Sequence, residues 1–174
     1  ANRSGYVSPT RVEHVRGVWP EADVFVLDGG PCEVGLESTV VALGDAGLRV
    51  LRPGVIGIDE LIGATGLSVS DRAEDEPVSS PGRLGPHYQP RLPVVLVSTL
   101  EEANTWLNLG PAAVLSPPGG PLAVEPPHTS VPMPSEAGQY ARELYAALRE
   151  ADASGASRIV VCVPPLDGPV WIAV

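Results

Sequence analysis

The sequence predicts an α/β protein with two domains joined by a Pro- and Gly-rich linker. Three observations support this prediction. Short apolar runs bounded by Gly, Pro and Asp occur early, Pro and Gly are dense in the middle, and strand-like runs then alternate with helix-like segments. Such alternation is typical of a largely parallel sheet with its own core. We expect one domain over residues 1–70, a linker over 71–91 and a second domain over 92–174.

The first domain is predicted to contain three strands, because its apolar runs are rich in β-branched residues and end at turn-forming residues. The runs cover residues 24–27, 39–43 and 48–51. A short helix at residues 58–62 and an edge strand at 67–69 are expected to follow.

A Ser-Pro-Thr triplet near the beginning of the chain predicts the start of a helix. Ser8 is a favoured N-cap residue, Pro9 suits the first helical position, and valines follow at helical spacing. The free N–H groups and the dipole of a helix start form a ready anion site. A cap with no further role is the more frequent outcome, so Ser8 alone does not establish a binding site.

Polar side chains lie at the ends of two neighbouring predicted strands. Glu37 and Ser38 lie at the beginning of one predicted strand, and Arg52 lies at the end of the next. A hydroxyl and a guanidinium at adjacent strand ends can hold a carboxylate or a phosphate. On spacing alone, local hydrogen bonding by Ser38 and a solvated Arg52 remain the commoner interpretation.

The predicted linker ends in a cluster of functional side chains. Three Pro and two Gly in residues 79–90 exclude regular structure and favour an extended path. A plain spacer has little use for Arg83, His87 and Tyr88 so close together, and these side chains could fold back over a ligand. The residues alone support the spacer and the lid equally.

The second domain is predicted to alternate strands and helices. Strands are expected at residues 93–97, 112–115, 129–133 and 158–163, and helices at 100–107 and from Ser135 onward. The last helix has apolar residues three and four apart, which predicts one buried stripe with both its tyrosines in the core. The stripe comprises Ala137, Tyr140, Ala141, Leu144, Tyr145 and Leu148.

Composition limits the classes of function. The 174-residue chain has a net charge of −10, and all 11 basic residues are Arg, so it is a poor non-specific nucleic-acid binder. No apolar run approaches the roughly 20 residues of a membrane span, and no secretory start is present. Cys32 and Cys162 lie far apart without zinc-ligand spacing, which favours a reducing compartment and a cytoplasmic location.

Five motifs occur in order along the chain. They are Ala1-Asn2-x-Ser4-Gly5-x-x-Ser8-Pro9-Thr10, Asp28-Gly29-Gly30, Gly35-x-Glu37-Ser38-Thr39-Val40, Leu51-Arg52-Pro53-Gly54, and Ser80-Pro81-Gly82 followed by His87-Tyr88-x-Pro90. Together they closely resemble the two-domain threonylcarbamoyl-AMP synthases, which have a YrdC-type domain, a linker and a C-terminal α/β domain. The resemblance implies that residues 1–70 are the C-terminal part of a YrdC-like domain. It also implies a small Rossmann-like, mostly parallel α/β fold for residues 92–174.

The resemblance implies a nucleotidyltransferase. The family forms L-threonylcarbamoyl-AMP and pyrophosphate from L-threonine, bicarbonate and ATP, and the product feeds threonylcarbamoyladenosine modification of tRNA. The resemblance thus implies that ATP is a substrate and that Mg²⁺ binds together with it. It implies no dedicated metal ligands and no catalytic side chain in this chain. The implied partner is a downstream tRNA-modifying transferase complex, with no direct tRNA binding and no membrane required.

By resemblance, five residues would contact the nucleotide and one would contact threonine. The nucleotide-binding residues would be Asn2, Ser8, Arg52, His87 and Tyr88, and the threonine-binding residue would be Ser38. The His87-Tyr88 part of the linker would close over the same cavity.

The chain also departs from the family pattern. The family's first half, with a Lys-x-Arg element that grips phosphates, does not occur in these residues. We therefore expect an N-terminally truncated chain that is inactive alone. The alternative hypotheses are a non-catalytic YrdC-like module that binds nucleotide or RNA, and a carbamoyl-transferring module as in hydrogenase maturation proteins.

Overall fold

A computed structural model describes residues 2–20, 24–70, 87–116 and 124–164. In these ranges it contains four helices and seven strands, which confirms the predicted α/β class. In chain order they are α1 (Val12–Val18), β1 (Val40–Gly44), β2 (Gly47–Arg52), α2 (Ile58–Thr65), β3 (Val69–Ser70), β4 (Val94–Val97), α3 (Leu100–Leu107), β5 (Ala112–Leu115), β6 (Thr129–Val131), α4 (Ala137–Ala153) and β7 (Arg158–Cys162).

The N-terminal sheet has the strand order β1-β2-β3. β1 and β2 form an antiparallel hairpin, and β3 runs parallel to β2 at the edge. Just beyond β2, the backbone at Gly54 lies so close to the Thr39 backbone nitrogen that a Cβ atom would collide with it. This close approach brings the end of β2 against the segment that leads into β1.

The C-terminal sheet has the strand order β4-β7-β5-β6, and all its strands are parallel, which confirms the predicted mostly parallel sheet. Alternate side chains of each strand point to opposite faces, so the sheet has a core on each side. Ala113, Leu115, Ile159 and Val161 join the core cluster that contains the buried residues of α4. Val114 and Val160 join a second cluster with Ala103 of α3.

Helix α4 packs on the sheet through the predicted stripe, and Tyr140, Ala141, Leu144, Tyr145 and Leu148 are all buried. The helix begins after Glu136 rather than at Ser135, because the Glu136 carboxylate accepts hydrogen bonds from the backbone N–H groups of Gly138 and Gln139 at 2.8 and 2.7 Å. These two hydrogen bonds hold the pKa of Glu136 below its usual range. Val7 and Leu36 pack against the same core, so both parts of the chain share it.

The strand predicted at residues 24–27 is wrong. Phe25 and Leu27 are 86% and 83% exposed, and within the described ranges these residues pair with no strand. An apolar β-branched run becomes a strand only where another strand offers it a hydrogen-bonding edge. The second predicted helix also extends further than expected, to Thr65, where Gly66 ends it in the left-handed conformation.

Residues 71–86, which include Arg83 and most of the predicted linker, lie outside the described residues. None of the helices that the structure describes has the length and apolarity required to cross a membrane.

Candidate functional site

Arg52 lies at the centre of a polar cluster where β2 ends. Its Nε and Nη2 atoms donate hydrogen bonds to the Ser38 carbonyl oxygen at 3.1 and 3.0 Å, and Nη2 also donates to Ser38 Oγ at 3.3 Å. Its Nη1 atom donates to Tyr88 Oη at 3.2 Å. One guanidinium therefore joins β2, the segment before β1 and the end of the linker.

Ser8 reaches the same place from the first loop of the chain. Ser8 Oγ donates a 2.6 Å hydrogen bond to Glu37 Oε1, and Glu37 immediately precedes Ser38. The predicted N-cap role of Ser8 is wrong: α1 begins at Val12, with Arg11 at the N-cap position. Because the Ser8 hydroxyl is bonded to Glu37, it does not cap a helix.

Tyr88, whose phenol contacts Arg52, adopts an unusual backbone conformation. Its φ is +56°, in the left-handed region that residues other than glycine rarely adopt. Its ring stacks on Tyr145 of α4, with centroids 6.1 Å apart and planes at 21°. The His87 ring lies 5.9 Å from the Tyr88 ring. The end of the linker is thus held between β2 and α4.

Tyr145 lies near this cluster, although the sequence patterns predicted it only as a core residue and not as part of a site. It is buried, as predicted for the helix stripe. Burial raises the pKa of its phenol, the Glu37 carboxylate and Tyr88 raise it further, and the Arg52 guanidinium opposes them. The only signal in the sequence was the tyrosine itself, since a buried phenol generally needs a polar neighbour.

Asn2 lies in an adjacent loop rather than in the cluster. Its Nδ2 atom donates to the Tyr6 carbonyl oxygen at 2.7 Å, a contact within its own loop. This loop pairs with the linker, because the Gln89 N–H donates to the Gly5 carbonyl oxygen at 2.9 Å and Tyr6 forms a parallel bridge with Gln89. Of the predicted site residues, the structure thus brings together Ser8, Ser38, Arg52 and Tyr88, with His87 beside Tyr88.

A cavity of about 650 Å³ lies between the end of the linker, α4, β4 and β7. Its lining is mainly apolar and includes Tyr88, Leu96, Tyr140 and Leu144. Arg52 and the other polar residues of the cluster are not among the described residues that line it. The polar cluster and this cavity are therefore separate features that share Tyr88.

The cluster can bind and orient an anion. It offers a guanidinium, two serine hydroxyls and a phenol, with Glu37 as its carboxylate. Nowhere in the described ranges do three or more His, Cys, Asp or Glu side chains group closely enough to hold a metal ion. A site of this kind acts through positioning and charge stabilisation.

Comparison with known families agrees with this architecture. A family model described as "Threonylcarbamoyl-AMP synthase, C-terminal domain" matches residues 54–174, which is more than half of the chain. The chain belongs to the Sua5-type threonylcarbamoyl-AMP synthase family. A second family model, described as "Telomere recombination", matches residues 1–54. The resemblance drawn from the five motifs is thus confirmed.

Three curated relatives of this Sua5-type chain are named threonylcarbamoyl-AMP synthase. The Bacillus subtilis protein is 36% identical over 99 residues, covering 55% of this chain and 29% of the relative. The Schizosaccharomyces pombe protein is 34% identical over 116 residues, covering 61% and 28%. The Pyrococcus abyssi protein is 33% identical over 102 residues, covering 56% and 30%. The matches thus span under a third of each relative.

Two solved structures share the fold of this Sua5-type chain. P. abyssi Sua5 complexed with L-threonine superposes with a TM-score of 0.77 at 24% identity, covering 99% of this chain and 53% of that structure. A double variant of P. abyssi Sua5 gives 0.73 at 22% identity, covering 98% and 52%. The chain corresponds to about half of the solved protein.

Proposed function

We propose that this chain forms part of a threonylcarbamoyl-AMP synthase, which makes L-threonylcarbamoyl-AMP and pyrophosphate from L-threonine, bicarbonate and ATP. The observation that carries the proposal is the meeting of Ser8, Ser38, Arg52 and Tyr88 at one polar cluster. These residues come from separate segments of a chain that belongs to this family. Their convergence supplies hydroxyl, phenol and guanidinium donors for an anionic ligand.

Each residue of the cluster has a proposed role. Arg52 contacts the nucleotide phosphates, because a guanidinium is always charged and binds phosphate with several donors. Ser38 contacts the threonine moiety from the adjacent strand end. Ser8, His87 and Tyr88 line the nucleotide, and Asn2 joins them from the loop beside the linker. The complex of P. abyssi Sua5 with L-threonine supports threonine as the amino acid.

The proposed reaction has two steps. The threonine amine and bicarbonate give a carbamate with loss of water. A carbamate oxygen then forms a bond to the α-phosphorus of ATP, and the bond from that phosphorus to the bridging oxygen breaks, so that pyrophosphate leaves. Arg52 and the hydroxyls orient the two anions and spread the charge of the transition state. No general base from the cluster is required.

Mg²⁺ is proposed to enter with ATP. This ion is usually held by one or two carboxylates together with substrate phosphates, and the cluster offers one carboxylate, Glu37, which already accepts from Ser8. The donor set therefore fits an ion carried mainly by the triphosphate. When bound, Mg²⁺ would neutralise phosphate charge.

We further propose that these 174 residues do not catalyse the reaction alone. The described cluster contains one guanidinium, that of Arg52, and the chain carries a net charge of −10. Further positively charged side chains are needed to contact the β- and γ-phosphates. The resemblance assigns this role to a Lys-x-Arg element that these residues do not contain.

The product is proposed to pass to a tRNA-modifying transferase complex in the cytoplasm, without direct binding of tRNA by this chain. The acidic charge supports the absence of tRNA contact. Cys32 and Cys162 are free thiols, as expected in a reducing compartment.

The test is an assay of pyrophosphate release from ATP by a complete polypeptide containing this chain. Omitting threonine, and separately bicarbonate, should each abolish release, and labelled bicarbonate should enter a nucleotide-linked product. Release that does not depend on threonine would refute the proposed function. Binding of ATP without any release would favour a non-catalytic nucleotide-binding module. The 174-residue chain assayed alongside should release no pyrophosphate.

A further inference from the structure

Helix α4, which packs on the C-terminal sheet, contacts three segments that form the polar cluster: the end of the linker, the Ser8 loop and the segment before β1. Its Tyr145 ring stacks on Tyr88. Arg149 donates hydrogen bonds to the backbone carbonyls of Val7 and Ser8, the second at 3.4 Å. The backbone of Gly35, two residues before Glu37, lies directly against the α4 backbone at Arg142. The cluster is therefore built against a helix of the other domain.

Tyr145 and Arg149 lie four residues apart on α4. Residues at this spacing share one face of a helix. One residue of this face meets the linker, and the other meets the Ser8 loop. A single rigid helix therefore sets the distance between the end of the linker and the Ser8 loop.

We propose that Tyr145 is a positioning residue of the synthase site, which acts through Tyr88, and that Arg149 does the same for Ser8. The inference rests on the proposed function, since the site it serves is the nucleotide and threonine site. Tyr145 itself does not touch substrate. Its ring holds Tyr88 in the orientation from which the phenol meets Arg52.

The backbone of Tyr88 shows why such support is needed. A side chain other than glycine at φ +56° is strained and persists only where its surroundings impose it. Tyr88 is constrained by the Tyr145 ring, by Arg52 Nη1 and by the neighbouring hydrogen bond from Gln89 N to the Gly5 carbonyl. Removing the Tyr145 ring releases one of these constraints, and the linker is then free to return to a commoner conformation.

The first test measures amide hydrogen exchange at Gln89 in Tyr145→Leu. The variant should exchange roughly two- to tenfold faster than the wild type, the range corresponding to the loss of one aromatic pair. Tyr145→Phe keeps the ring stack and should exchange like the wild type. Tyr140→Leu removes another buried tyrosine of the same helix and should leave Gln89 unchanged in the folded state. Unchanged exchange in Tyr145→Leu, or equal acceleration in Tyr140→Leu, would overturn the proposal.

The second test uses the kinetics of the complete synthase. Tyr145→Leu should raise KM for ATP roughly two- to tenfold with kcat nearly unchanged, because Tyr88 contributes to ground-state and transition-state binding alike. A purely structural role would lower the active fraction, and hence kcat, without changing KM. That second pattern, or equal effects in Tyr145→Phe, would refute the proposal. Exchange at Gln89 does not depend on the reaction, so absence of threonine-dependent release alone would contradict only the proposed function.

Discussion

The Nη1 atom of Arg52 donates a 3.2 Å hydrogen bond to the phenol oxygen of Tyr88, 36 positions further along the chain. The same guanidinium bonds to the Ser38 carbonyl through Nε and Nη2. A planar guanidinium with donors on several sides can serve a carbonyl and a phenol at once. Arg52 therefore both organises the cluster and is its permanent positive charge.

Replacing Arg52 with alanine should weaken ATP binding by the complete protein. A hydrogen bond to a charged group contributes about 1.5–3 kcal/mol, so the dissociation constant should rise on the order of 10- to 100-fold. Isothermal titration calorimetry with Mg·ATP measures the change. Unchanged affinity would contradict the assignment of Arg52 to the phosphates.

Arg49 provides a matched control for this experiment. It belongs to the same strand, three residues earlier, where it lies opposite Ala42 of β1, whereas Arg52 lies opposite Val40 at the strand end that meets Ser38. Arg49→Ala removes the same charge from β2, so it reproduces any general electrostatic effect. ATP affinity should stay close to that of the wild type, and an equal loss in both variants would show that net charge alone is responsible.

Gly35→Ala should be strongly destabilising. Gly35 has φ +78°, and an added Cβ atom would collide with the Arg142 backbone of α4. We expect a loss of more than about 2 kcal/mol in the free energy of unfolding, because neither backbone can yield without separating the loop from the helix. Urea denaturation monitored by circular dichroism provides the measurement.

Gly30→Ala separates the cost of a positive φ from the cost of the collision with α4. Gly30 has a similar φ of +85°, but open space surrounds the position of its missing Cβ atom. It should therefore show only the conformational cost of the left-handed region, on the order of 1 kcal/mol. If the two variants lose the same free energy, contact between the Gly35 loop and α4 does not contribute to stability.

Two arginines link the N-terminal segment to α4, and their contributions should differ. Arg149 donates to the backbone carbonyls of Val7 and Ser8, which would lose their donor in Arg149→Met, at a cost of about 1–3 kcal/mol. Arg11 pairs with Glu143 at 2.8 Å, but their side chains are 48% and 40% exposed. Arg11→Met should therefore cost less than about 0.5 kcal/mol.

Chemical denaturation of the two methionine variants tests this ranking. Methionine retains much of the apolar stem of arginine, so the comparison isolates the polar contacts. A cost for Arg11→Met that equals or exceeds that of Arg149→Met would contradict it.

The predictions from sequence succeeded where the signal is local. Apolar runs that alternate with helix-like segments predicted the parallel sheet. The spacing of apolar residues at three and four predicted the buried stripe of α4. The run at residues 24–27 carried the same local signal but lacks a partner strand in the described part of the chain. A pattern of apolar residues indicates which side chains tend to be buried. Whether a segment pairs as a strand depends on the segments that lie beside it in the fold.

The candidate site was only partly predictable for the same reason. Motifs indicated Ser8, Ser38 and Arg52, but the hydrogen bond that ties Ser8 to Glu37 spans 29 positions and has no periodic signature. Tyr145 was correctly predicted to be buried. Its stacking partner Tyr88 could not be identified, because a hydrophobic stripe does not specify which segment packs on each of its positions.

His14 should make the stability of the protein depend on pH. Its Nδ1 atom accepts a 3.1 Å hydrogen bond from the Thr10 N–H. Burial lowers the pKa of His14 below its usual 6.5, and the Arg149 and Arg11 guanidinium groups lower it further, against an opposing effect of Glu13. Above pH 6.5 the folded and unfolded states both hold a neutral imidazole, and the stabilisation is complete. As the pH falls from 6.5 through the lower pKa of the folded state, the unfolded state binds the proton first and stability declines.

The thermal midpoint of the wild type should therefore fall more than that of His14→Phe between pH 7.5 and pH 5.5. Phenylalanine cannot titrate, whereas His87 and His128 are present in both proteins and cancel in the comparison. Because His14 is only half-buried, solvent screening limits the expected difference to about 2 °C. A larger decline in His14→Phe would reverse the sign of the linkage and would place the folded pKa above that of the unfolded chain.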